Sequence, residues 1–183
     1  GTTYYKENWG FCLSFNDFTK FFRDDETYEV FIDSTLEEGF LSIGELLIEG
    51  KSKKEYLIST YICHPSLAND NLSGVVLTAF LAKELLKKKR NFSYRIIFVP
   101  ETIGAIAYCA HHEKIMKNID SGFVITTVGG PGKFGYKQSF DENNSINRIV
   151  EKVFQENNID FITYPFMAGS DERQYSSIAF RIN

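Results

Sequence analysis

From residue 56 onward, short apolar runs alternate with longer segments of helical period, and this alternation restricts the fold more than any other feature of the chain. Tyr56–Ile62 is rich in apolar and β-branched residues, as a buried strand requires. A helix is expected from about Gly74 to Lys89, capped by Ser73 and apolar through Val75, Val76, Phe80, Leu81, Leu85 and Leu86. Arg95–Val99 reads as a strand stopped by Pro100, and Ile103–Lys117 as a helix with Thr102 as its cap. A strand over Phe123–Val128, a helix over Ile146–Asn157 and strands over Phe161–Pro165 and Ala179–Ile182 complete the pattern. Such alternation predicts an α/β fold of three layers: a mostly parallel, twisted sheet with helices on both faces. Earlier in the chain, Tyr28, Val30 and Ile32 alternate with polar residues, as do Leu41, Ile43 and Leu47 within Phe40–Glu49. These runs predict antiparallel strands along one edge. The expected organisation is a single domain over 1–183, with edge strands in 1–55 and a βα core in 56–183. It is expected to be truncated at its C-terminus, because the sequence stops inside the apolar segment Ile178–Ile182.

A chain of 183 residues can bury a core without help from disulfides or structural metals. Its 24 acids against 20 bases give a formal charge of -4, which argues against nucleic acid as a partner. A membrane partner is not expected either, because no run of about 18 apolar residues occurs. Cys12, Cys63 and Cys109 are odd in number and far apart, which suggests neither a disulfide framework nor a zinc ribbon. They fit a cytoplasmic, reducing location. The basic run Lys87-Lys88-Lys89-Arg90 suits the end of a helix and reads as a solvated terminus. His111 and His112 are neighbours within a helix and read as structural. Cys63 and His64, adjacent on an extended chain, are expected to point apart rather than pair as thiol and imidazole.

In parallel sheets, sites form in loops at the carboxyl ends of the strands, and four loops qualify. The first, Cys63 to Gly74, carries His64 and Asp70, a ligand set suited to zinc; an Asx-rich turn capping the next helix is the alternative. The second, Pro100 to Gly104, presents Glu101. It reads either as a partly buried general base or as a first-turn acid favoured by the helix dipole. The third, Thr126 to Ser139, formally satisfies G-x-G-x-x-G over Gly130–Gly135. A polar stretch follows where a dinucleotide site would open a helix, so a flexible rim loop is expected. The fourth, Ala168 to Tyr175, concentrates Ser170, Asp171, Glu172, Arg173 and Tyr175 in one turn, or else simply starts a polar helix with Ser170 as cap.

The stretch Cys63-His64-Pro65-Ser66-Leu67-Ala68-Asn69-Asp70-Asn71-Leu72-Ser73-Gly74 resembles that of bacterial zinc aminopeptidase-like proteins of unassigned function, often associated with polysaccharide biosynthesis. Their superfamily is that of the co-catalytic zinc exopeptidases. Further matches are Trp9-Gly10-Phe11-Cys12, Pro100-Glu101-Thr102-Ile103-Gly104, Tyr136-Lys137-Gln138-Ser139 and Gly169-Ser170-Asp171-Glu172-Arg173-Gln174-Tyr175. The resemblance implies that His64 is a first zinc ligand, Asp70 a metal-bridging carboxylate and Glu101 the general base. It also implies that Ser170-Asp171 line the active site. The chain departs from the pattern where Thr102 replaces a second glutamate and where Thr126, Thr127 and Gly130 occupy the region of an Asp ligand. The final ligand of the pattern is a His beyond the Ser-Asp motif, and this sequence ends before that position.

The resemblance therefore implies a hydrolase of peptide or amide bonds, holding one or two zinc ions, with a peptide or small amide as substrate. Ser170, Asp171, Glu172, Arg173 and Tyr175 would contact that substrate, and a homo-oligomer is compatible with the sequence. Two rival readings share the fold: a binding or assembly module that has lost much of the metal centre, and an amidohydrolase acting on an amino sugar.

Overall fold

The structure, a computed structural model, describes residues 10–33, 35 and 37–183. The chain falls into two compact units, Gly1–Gly39 and Phe40–Asn183. In the first, helix α1 (Phe15–Phe21) starts at Ser14, whose hydroxyl oxygen accepts the amide of Asp17. Residues 28–32 form no strand; instead the Tyr28 phenol turns back to meet the Phe21 carbonyl and Glu26. Alternation alone is insufficient there, because a strand needs a partner ladder.

The second unit holds a four-stranded sheet built from β1 (Gly44–Ile48), β2 (Glu55–Tyr61), β3 (Ser93–Val99) and β4 (Gly122–Val124), in the order β1-β3-β2-β4. β1 runs antiparallel to β3, and the other pairs are parallel. The mixed, mostly parallel sheet follows the sequence pattern, and the antiparallel strand sits on the edge.

Side chains alternate across the sheet and build two cores. Leu57, Ile97 and Val99 face Ala105, Tyr108 and Cys109 of α3 (Ile103–His111) and Met116 of α4 (Glu113–Met116). Ile58 and Ile96 face the other way, onto Ala82, Leu81 and Leu85 of α2 (Ser73–Leu86). Helices thus cover both faces. Between the strands, buried Arg95 binds Glu55 through Nε (2.6 Å) and Nη2 (3.1 Å) and also meets Glu45, tying β1, β3 and β2 together.

Several boundaries differ from the sequence reading. α2 ends at Leu86, and Arg90 folds back to donate to the carbonyls of Leu85 and Lys88. Val76, Leu77 and Phe80 face outward, while Gly74, Thr78 and Ala82 are buried. Ser73 lies in the first turn rather than capping it; its hydroxyl donates to the Asn69 carbonyl (2.7 Å). The helix expected over 103–117 breaks at His112, whose ring stacks on Tyr108 with centroids 4.2 Å apart.

Beyond β4 the chain does not remain a loop. β5 (Phe134–Lys137) pairs in parallel with β6 (Phe161–Tyr164) across helix α5 (Ser145–Glu156), forming a second, two-stranded sheet. Phe154 of α5 packs beside Phe134 and Phe161. The Gly130–Gly135 run therefore leads into a strand, not a helix. After the short helix α6 (Glu172–Tyr175), residues 179–182 form no strand. The chain turns through Ser177 and Arg181 (φ 52°), and Ile182 enters the core while Asn183 bonds to Asp120 and Gly122. No helix among the described residues is long and apolar enough to cross a membrane.

Candidate active site

β2 leads into α2 on one face of the sheet, and β3 leads into α3 on the other. The loops leaving these adjacent strands therefore part in opposite directions and open a crevice at their carboxyl ends, the place where ligands enter open α/β sheets. His64 follows β2 and Glu101 follows β3, so topology alone brings them to one rim.

Small residues let the loops approach closely. A Cβ at Gly74 would come within 2.4 Å of Asn71 Oδ1 and 2.5 Å of the Ile125 carbonyl, and one at Gly104 within 2.6 Å of Pro100 Cδ. Asn71 is the buried staple beneath the crevice. Its Nδ2 donates to Thr60 Oγ1 (2.9 Å) and the Tyr61 carbonyl (3.0 Å), and its Oδ1 accepts the Thr127 amide (3.0 Å). The first and third loops are thereby pinned to the end of β2.

His64 Nε2 lies 3.6 Å from Glu101 Oε2, and both side chains are partly exposed. Ser170 donates its hydroxyl to the other Glu101 oxygen at 2.5 Å. Cys63 Sγ lies 3.5 Å from His64 Nδ1 and accepts the Glu101 amide at 2.9 Å. The side chains of Cys63 and His64 thus turn to the same side, contrary to the expectation for neighbours on an extended chain, because β2 has ended two residues earlier. One ligand atom from each of Cys63, His64 and Glu101 fits within 4.8 Å of the others.

Asp70 stands outside that trio, although the sequence pairs it with His64. It accepts the Tyr61 phenol at 2.6 Å, and the same phenol oxygen lies 2.6 Å from Thr126 Oγ1. The Tyr61 ring, its centroid 5.4 Å from that of His64, fills the space between. Burial, followed by the hydrogen bond to Asp70, pushes the Tyr61 phenol up, so it stays protonated as a donor. Tyr61→Phe is expected to cost about 1–2 kcal/mol in urea denaturation with the fold retained, through loss of these bonds; an unchanged midpoint would show that Asp70 is held by other means.

The fourth loop divides. Ser170 reaches Glu101, Glu172 takes Lys137 Nζ (2.6 Å) and the Gly169 amide (3.1 Å), and Arg173 is exposed. Asp171 and Tyr175 are buried, at 0% and 3% exposure, which corrects their expected part as substrate contacts: they form the wall behind the site. The Tyr175 phenol meets Ser59 Oγ at 2.9 Å. Asp171 Oδ1 accepts the Thr102 amide at 2.7 Å, while Oδ2 has no hydrogen-bond partner among the described residues. Burial pushes the Asp171 carboxyl up to about 6 despite the bond from Thr102. Burial also raises the Cys63 thiol, which favours its neutral form. Sequence reasoning missed the roles of Tyr61 and Asn71; the signals were the place of Tyr61 just before the His64 loop and of Asn71 within it.

A crevice at the carboxyl ends of a mostly parallel sheet is the architecture of an open α/β domain. A crystal structure of a peptidase M28 precursor from Shewanella amazonensis SB2B shares the fold, with a TM-score of 0.54 at 16% identity over 76% of this chain and 33% of that one. The chain belongs to the family described as "Domain of unknown function (DUF4910)", which matches residues 14–183. It is 49% identical over 177 residues to a Clostridium acetobutylicum protein described as a "putative polysaccharide biosynthesis protein with aminopeptidase-like domain", covering 96% of this chain and 40% of that one. A crystal structure of a "putative peptidase" from Clostridium acetobutylicum matches with a TM-score of 0.84 and 48% identity, over 98% of this chain and 42% of that one. The chain thus spans about two fifths of the length of these relatives.

Proposed function

We propose that this domain is the hydrolytic centre of a metal-dependent, aminopeptidase-like enzyme that cleaves peptide or amide bonds, with Glu101 as general base. The observation that carries the reading is the meeting of His64 and Glu101 at the mouth of the sheet crevice, 3.6 Å apart, with Cys63 beside them. Imidazole, carboxylate and thiol are the donor types zinc prefers, so the residues fit the ion the fold suggests. His64 would hold it with Cys63 beside it at the rim, while Asp70, the bridging ligand that the resemblance implies, lies outside this trio and accepts the Tyr61 phenol. Zinc, when bound, supplies Lewis acidity to the scissile carbonyl and lowers the pKa of water.

The side chains divide the remaining work. One oxygen of Glu101 is occupied by Ser170, which orients the carboxylate and leaves Oε2 facing His64. That free oxygen takes the proton of the attacking water and returns it to the departing amine. Tyr61 ties Asp70 to Thr126 beside this group. Exposed Arg173 is available to a substrate's polar groups, while Glu172 is engaged by Lys137 and the Gly169 amide. The amide of an amino sugar is a second substrate class, compatible with the words "polysaccharide biosynthesis" in the Clostridium relative's name.

Metal analysis of the full-length protein tests the reading. One or two zinc ions per chain are expected, lost on chelation and strongly reduced by His64→Ala. Hydrolysis of an aminoacyl arylamide or of an N-acyl amino sugar should follow zinc occupancy. A folded protein that takes up no zinc would favour the binding-module reading instead.

A further inference from the structure

We propose that Asp171 is the positioning residue of the site: its buried carboxylate locks a strained turn at Thr102 and so aims Glu101 at His64. The proposal begins with the backbone. Thr102 has φ 64° and ψ -68°, and the Ile103 amide donates to the Glu101 carbonyl at 2.7 Å. These values define a γ-turn of the rare, strained hand. A β-branched residue is a poor occupant of positive φ, and such a conformation persists only where its surroundings over-determine it.

The surroundings here are specific. The Thr102 amide points to Asp171 Oδ1 at 2.7 Å, and Asp171 is wholly buried. On the other side of the turn, the Glu101 amide donates to Cys63 Sγ and the Glu101 side chain accepts from Ser170. Consecutive amides of one turn are therefore gripped from two separate loops. Release of the Asp171 grip lets Thr102 relax to negative φ, which rotates the peptide joining it to Glu101 and swings that side chain off the imidazole. Asp171 itself presents no surface to a substrate, so its influence passes through the turn. What the turn needs from position 171 is an acceptor oxygen, and asparagine supplies one in the same place.

The general-base part of this inference rests on the hydrolase reading; the turn does not. The test uses the full-length protein and two readouts. In Asp171→Ala, the Thr102 amide should exchange with deuterium at least about 10-fold faster. Turnover of an aminoacyl arylamide should fall by a similar factor in kcat, with KM and zinc content unchanged. Asp171→Asn should stay within about 3-fold of the parent in both, because it keeps the acceptor. Thr102→Gly removes the strain, since glycine tolerates positive φ. Adding Asp171→Ala to Thr102→Gly should therefore cost less than about 3-fold in kcat, and this pair keeps the test open if the single variant does not fold. The proposal is overturned if Thr102 protection is unchanged in Asp171→Ala, if Asp171→Asn is as impaired as Asp171→Ala, or if the Thr102→Gly background does not reduce the loss. A parent protein without turnover would sink the hydrolase reading, and amide exchange would still decide whether Asp171 holds the turn.

Discussion

Glu101→Gln is expected to lower turnover of the full-length protein by about 10²–10⁴-fold while leaving its zinc content and fold intact. The amide is nearly isosteric with the carboxylate and can still accept the Ser170 hydroxyl, so the local packing survives. It cannot take up a proton from water at neutral pH, so the chemical step fails while binding remains. The outcome separates two roles that the 3.6 Å approach of Glu101 to His64 leaves close together in space. A general base can be neutralised without loss of the ion, whereas a ligand cannot. Turnover rates paired with metal analysis decide the matter. Unchanged turnover would remove Glu101 from the chemistry, and parallel loss of turnover and zinc would make it a ligand.

Glu101 and His64 are legible in the sequence because each follows a buried apolar strand, and strand ends are where chemistry collects in a parallel sheet. The pairing of β2 with β3 follows from the same runs. What escapes depends on three-dimensional closure. Asn71 reads as one more turn-former in an Asx-rich loop, yet it is a buried cross-link between two loops far apart in sequence. Cys63 is set apart from His64 by a rule that holds only while the chain is extended. Thr102 reads as a side-chain cap of α3; instead it occupies a γ-turn that its β-branched side chain disfavours, held by a carboxylate 69 residues away. β5 is hidden because Phe134–Lys137 is short, contains Gly135 and finds its partner only across α5. In the opposite direction, the alternation at Tyr28, Val30 and Ile32 looks like a strand and lacks a neighbouring ladder.

Asp171 should also leave a signature in the pH dependence of stability. Its carboxyl is raised from 3.8 to about 6 in the folded state, chiefly by burial. Between these two values the folded protein retains a proton that the unfolded chain has released. Stability must therefore fall as pH rises from about 4 to about 6, and the cost is complete above the folded pKa. The shift corresponds to about 3 kcal/mol. Asp171→Asn abolishes this titration and keeps the acceptor for the Thr102 amide. The variant is therefore expected to equal the parent near pH 4 and to exceed it by up to about 3 kcal/mol near pH 8. Urea denaturation of parent and variant at both pH values, compared as a difference, cancels the titration of groups that are not coupled to Asp171. A difference that does not change with pH would mean that Asp171 ionises normally and is not desolvated. A rising difference would mean that the chain tolerates a destabilising buried acid directly behind its candidate base. Such a cost is commonly found where a site, rather than the fold, dictates the residue.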